Sequence, residues 1–217
     1  MGEHTAGMAV YVFDVNETLS DLSPMGGRFA EVGLPPEAAT LWFAALLRDG
    51  IGVAAAGGLV RFADAARGVL APMVGGEAEA VEHVMAGFLE LPVHPDVPDG
   101  VRALRVAGHR LVTLSNGAAE VAAGLLGRAG IRDQFEALLS VEDAGVWKPA
   151  RAAYLYAADR LGIRPADATL VAVHPWDIDG AARAGLRTAW INRTGAPPYP
   201  AHLTAPDRTV TTVAELA

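Results

Sequence analysis

The feature that most constrains this chain is a repeated pairing of short apolar runs with helix-forming stretches. Runs rich in β-branched, aromatic and aliphatic residues occur at 9–13, 111–114, 137–140, 169–173 and 188–191. Helical patterns separate the later runs, over 118–129, 151–161 and 178–184. Strands that alternate with helices build βαβ units, whose crossovers lay the strands parallel and cover the sheet with helices. The predicted fold class is therefore α/β, a doubly wound, Rossmann-like parallel core.

One interval breaks the alternation. Between the first two runs, residues 24–91 carry apolar positions at helical spacing in 38–47, 59–70 and 78–89. Glycine and proline clusters at 33–36, 50–58 and 72–76 separate these predicted helices. The segment Pro92-Val93-His94-Pro95-Asp96-Val97-Pro98 reads as a non-helical linker, because its three prolines each remove a backbone donor and fix φ. The expected organisation is a core made of 1–19 and 96–217, with a helical insertion at 20–95. Residues 209–213 are expected to add an edge strand.

Composition narrows the function classes. The chain has 217 residues and 52% hydrophobic content, enough for a sizeable core. A net charge of −8 argues against a nucleic-acid partner, which would call for clustered lysine and arginine. Cysteine is absent, which removes disulfides, thiolate metal sites and a cysteine nucleophile. No apolar run reaches the ~18 to 20 residues that span a bilayer. The start, Met1-Gly2-Glu3-His4-Thr5, lacks a basic segment followed by an apolar one. A cytoplasmic protein with no membrane partner is the expectation.

Four places carry chemistry. Asp14 ends the first run, and ligands of open α/β sheets bind outside the carboxyl ends of strands. A carboxylate there can be a covalent nucleophile, with Thr18 four residues on able to bond back to it. Ser115-Asn116 follows the second run and offers a hydroxyl, an amide and open backbone N–H groups, although both residues are also ordinary helix caps. Lys148 precedes Pro149 at the start of a predicted helix, where it can neutralise a carboxylate or hold an anion. Finally His174-Pro175-Trp176-Asp177 follows the fourth run, placing a second carboxylate and an imidazole at the strand ends.

Taken in order, an Asp at a strand end, then Ser-Asn, Lys-Pro and Asp, with a helical insertion after the first, resembles the haloacid dehalogenase (HAD) superfamily. Trp176-Asp177, Gly180-Ala181, Gly185-Leu186 and Trp190-Ile191-Asn192-Arg193-Thr194-Gly195 are similar to its type II 2-haloacid dehalogenase branch, as are Leu114-Ser115-Asn116-Gly117 and Lys148-Pro149 followed by Tyr154. The resemblance implies a HAD core with a cap domain and a hydrolase that cleaves a carbon–halogen bond. Asp14 would form an ester, which water assisted by Asp177 then hydrolyses. Lys148 would stabilise Asp14, with Tyr154 close by, while Thr18 and Ser115 position the reacting groups. Asn16, Phe43, Asn116, His174 and Trp176 would surround the substrate and the departing halide. No cofactor is implied; a small-molecule substrate is, and a homodimer is a possible assembly.

This chain departs from that pattern at four positions. Asn16 and Phe43 stand where the branch usually has tyrosine and arginine, and Ala172 and His174 where it has serine and asparagine. Arg48, Arg61 and His94 are the candidates to supply the missing cation. Two other readings stay open: a Mg²⁺-dependent phosphatase and a non-enzymatic binding protein on the same scaffold. Asn16 and Val173 argue against the phosphatase, because that class carries acidic residues at both positions.

Overall fold

The computed structural model describes residues 8–195 and 197–217. Its centre is a six-stranded, wholly parallel sheet formed by β1 (Val10–Phe13), β2 (Arg110–Ser115), β3 (Ala137–Ser140), β4 (Ala168–Ala172), β5 (Arg187–Ile191) and β6 (Arg208–Val210), in the order β3-β2-β1-β4-β5-β6. Four helices lie between β1 and β2 before the chain returns: α1 (Met25–Glu31), α2 (Ala38–Ala55), α3 (Phe62–Met73) and α4 (Ala78–Leu89). The rest follow as α5 (Val97–Val106), α6 (Ala119–Arg128), α7 (Val141–Ala144), α8 (Arg151–Leu161) and α9 (Pro175–Ala184).

Successive side chains of a strand point to opposite faces, and β1 divides accordingly. Tyr11 and Phe13 join a buried cluster with Val97, Val101 and Leu104 of α5 and Leu125 and Leu126 of α6. Val12 joins the opposite cluster, with Tyr154 and Ala157 of α8 and Ile178 and Ala181 of α9. That second cluster continues without a break into Trp42, Phe43 and Leu46 of α2, Phe62 of α3 and Phe88 of α4. The result is the expected helix–sheet–helix layering. Because β1 lies between β2 and β4, the connections leaving its carboxyl end diverge and open a crevice there.

Local expectations hold for most elements, and the exceptions have physical causes. The glycines at 50 and 52 do not break α2, which runs on to Ala55. Gly50 is there because the Trp147 ring packs directly on it: a Cβ at this position would lie 2.2 Å from Trp147 Cζ3. The proline-rich linker is also shorter than expected. Val97 begins α5 and Pro98 is its second residue, since the first turn of a helix needs no backbone donor from that residue. Likewise Pro72 sits inside α3, next to its last residue. The edge strand is Arg208–Val210, shorter than expected and earlier by a residue. His109 is buried and its Nδ1 accepts from the Ala9 backbone N–H. His4 lies outside the described residues.

Among the described residues, α2 is the one helix long and apolar enough on average to cross a membrane. It carries Arg48 and Asp49 in its middle and buries Trp42, Phe43 and Leu46 in the protein core.

Candidate active site

The crevice gathers side chains from four separate connections. Asp14 follows β1 directly, its backbone N–H bonded to the Val171 carbonyl of the neighbouring strand at 3.0 Å. The chain then turns sharply. Leu19 and Ser20 both donate to the Val15 carbonyl, and Glu17 takes a left-handed φ of 62°. This turn folds Thr18 back over the strand end, so that its hydroxyl donates to Asp14 Oδ2 at 2.6 Å. The same Thr18 oxygen accepts from the Val173 N–H at 3.1 Å, tying the β1 and β4 connections together.

Lys148 enters from the loop before α8, where its peptide bond to Pro149 is cis. Its ammonium donates to Asp14 Oδ1 at 2.8 Å and to Asp177 Oδ2 at 2.6 Å. Asn116 sets the lysine backbone in place, accepting from the Lys148 N–H at 2.9 Å and donating to the Lys148 carbonyl at 3.4 Å. Tyr154, one turn into α8, donates to Asp177 Oδ1 at 2.6 Å. Asp177 itself sits in the first turn of α9, where the helix dipole favours a negative charge. Asp14, Lys148, Tyr154 and Asp177 are all buried, and all four of their carboxylate oxygens accept a bond from Thr18, Lys148 or Tyr154.

The electrostatics follow from this geometry. Burial is the largest single influence on Asp14 and pushes it up, but the Lys148 and His174 charges and the hydrogen bonds from Lys148 and Thr18 together outweigh it and hold the carboxyl below the ordinary aspartate range. Asp177 goes the other way: burial dominates, and the like charge of Asp14 adds to it, so its carboxyl is raised. Burial opposes the Lys148 charge, yet the two carboxylates keep the ammonium above its usual value. Two carboxylates of divergent affinity for protons thus share one fixed cation.

The remaining sequence-predicted residues form the rim and walls. His174 precedes α9 with Nε2 3.1 Å from the Asn16 carbonyl and 3.8 Å from Asp14 Oδ2. Its ring stacks between Trp176, at 5.1 Å, and Phe43, at 6.5 Å. Ser115 does not bond to Asp14; its Oγ accepts from the Gly117 N–H at 2.9 Å. With Asn16, Phe62 and Phe88, Ser115 lines an enclosed apolar crevice of about 50 Å³. None of the three candidate substitutes reaches Asp14. Arg48 and Arg61 are exposed and paired with Asp49 and Asp64, while His94 donates to the Glu17 carbonyl at 2.9 Å.

Other contributors have no strong local signature. Arg193 donates to the Thr18 carbonyl at 3.0 Å and to Asp96 Oδ1 at 2.9 Å, fastening the turn after Asp14 to the start of α5. Its partners lie far off in sequence, so spacing alone would not find them. Trp147 and Phe62 stack at 5.7 Å and form a wall beside the lysine loop.

A divalent cation fits this donor set poorly. The carboxylate oxygens it would use are already bonded to Lys148, Thr18 and Tyr154, and the Asn16 carbonyl accepts from His174. Among the described residues no group of three or more acidic, histidine or cysteine side chains is placed to hold a metal.

The sequence pattern of the haloacid dehalogenase-like hydrolases matches residues 8–185. The chain belongs to that family. It is 39% identical over 108 residues to an (S)-2-haloacid dehalogenase of a Pseudomonas species, strain YL, a match covering 50% of this chain and 47% of the relative. It is 38% identical over 108 residues to haloacetate dehalogenase H-2 of a Moraxella species, strain B, covering 50% and 48%. The chain thus spans about half the length of the curated relatives it matches. In three dimensions the likeness is wider. A solved L-2-haloacid dehalogenase superposes with a TM-score of 0.88 at 27% identity, covering 96% of each chain.

Proposed function

We propose that this family member is a cofactor-independent hydrolase of small 2-haloacids, with Asp14 as its covalent nucleophile. The observation that carries the reading is the Asp14–Lys148–Asp177 bridge, a buried carboxylate kept ionised by an ammonium at a strand end. The named activities of the similar proteins support the same substrate class.

In the first step an Asp14 oxygen attacks the carbon bearing the halogen. The new C–O bond forms as the carbon–halogen bond breaks, and the halide leaves with the electron pair. In the second step water adds to the Asp14 carboxyl carbon, the bond to the alkyl oxygen breaks, and the hydroxy acid departs. The proton released by water goes to Asp177, whose raised proton affinity suits a base, and passes from there to the departing alkoxide oxygen, while the proton left on the regenerated Asp14 carboxyl is lost to solvent. Lys148 stays charged throughout and offsets the negative charge that develops on the ester oxygen. Thr18 holds Asp14 in its attacking geometry. Phe43, Asn16, Ser115, Asn116 and Trp176 bound the space beside it. Residues 20–95 act as a cap that keeps bulk water from the ester, an arrangement supported by Phe43 of α2 stacking on His174 of the core.

The test is halide release from chloroacetate and from both 2-chloropropionate enantiomers in chelator-treated buffer. Wild type is expected to release halide and Asp14→Asn to release none. A chelator-sensitive release of phosphate from phosphate esters, with no halide release, would sink the reading.

A further inference from the structure

We propose that His174 is the positive charge that receives the anionic substrate, and that it binds anions only as an imidazolium. The inference rests on the dehalogenase reading for the identity of the anion. Its basis in charge and access is independent of that reading.

The bridge at the centre of the site is not neutral. Asp14 and Asp177 carry two negative charges against the single ammonium of Lys148, and Glu17 lies nearby. A haloacid carboxylate approaching Asp14 therefore meets a like charge, which costs more as the site closes and water leaves. A compensating cation has to be both close and reachable. Lys148 is close but fully buried and committed to two carboxylates. Arg193 uses its Nε and Nη2 on Asp96 and the Thr18 carbonyl, and its remaining Nη1 has no partner but is buried, out of reach of an arriving anion. Burial lowers the proton affinity of His94, and the Arg193 charge lowers it further, which disfavours its charged form.

His174 satisfies both conditions. Its side chain is 12% exposed and lines an open cavity of about 520 Å³, together with Glu17, His94, Asn192 and Arg193. Every group facing its Nε2 is an acceptor: the Asn16 carbonyl at 3.1 Å, Glu17 Oε2 at 3.5 Å and Asp14 Oδ2 at 3.8 Å. The Nε2 atom therefore carries a proton, and a second proton on Nδ1 produces the cation. Of the rings that pack on it, Phe43 and Trp176 are uncharged and hold the imidazole face-on, so its orientation is set before an anion arrives.

The experiment is calorimetric titration of chloride and propionate into wild type, His174→Asn, His174→Lys and Glu17→Gln, at about pH 6 and about pH 8. Wild type should bind propionate roughly tenfold more tightly at the lower pH, the loss expected when a charge-assisted hydrogen bond disappears. His174→Asn should bind weakly at both values, and His174→Lys tightly at both. Glu17→Gln should keep the preference. Equal affinity at the two pH values in wild type, or a preference that survives in His174→Asn and vanishes in Glu17→Gln, would overturn the assignment. Anion binding that follows His174 without halide release from any haloacid would leave it standing and remove the dehalogenase reading instead.

Discussion

The Lys148 ammonium lies 2.8 Å from Asp14 Oδ1, with the lysine side chain fully buried and the aspartate 6% exposed. Breaking such a pair leaves an uncompensated charge in a low-dielectric interior, which costs far more than losing an exposed ion pair. Here one ammonium serves two carboxylates, so its removal strands both.

Lys148→Met is therefore expected to lower stability by about 3 to 5 kcal/mol near neutral pH, measured by urea unfolding. The pH dependence has a definite sign. Asp14 has a depressed folded value, so its pairing contributes stability that is fully present above the unfolded value of about 3.9 and is lost as pH falls through the lower folded value. The gap between wild type and Lys148→Met should narrow on acidification. A gap that widens toward acid would contradict the pairing.

Tyr154→Phe removes the donor to Asp177 Oδ1 and leaves a buried carboxylate oxygen unpaired. The expected cost is about 1 to 3 kcal/mol of stability. Under the proposed mechanism the loss in turnover should fall on the second step, where Asp177 takes the proton from water. Mass spectrometry of the quenched reaction should find the Asp14 ester accumulating in the variant and scarce in wild type. Unchanged turnover with no accumulated ester would remove Tyr154 from the machinery.

Gly50→Ala tests the contact between α2 and the lysine loop. The added methyl group would collide with the rigid Trp147 ring, so a loss of about 1 to 3 kcal/mol is expected in thermal unfolding. Trp147 precedes Lys148 in the chain, and displacing it should also slow halide release. A variant with wild-type melting temperature and rate would show that the ring has room to move.

The parts of this protein legible in its sequence are those set by neighbours along the chain. Apolar runs between helical patterns define the parallel sheet, because periodicity reports which face of an element is buried. The reach of Thr18 to Asp14 spans four residues and is a local turn. Tertiary structure alone decided the rest. The family resemblance implies that Lys148 meets Asp14, but no local spacing does, since the contact spans 134 positions, and Phe43 stacks on His174 from a different layer. Gly50 reads as a breaker until the Trp147 ring is seen to need its missing Cβ. Arg48 and Arg61 read as candidate site cations until their exposed partners are seen. These pairings follow from strand order and from how the helices close over the sheet. Such geometry couples residues with no fixed spacing, so residue identity along the chain carries no direct signal of it.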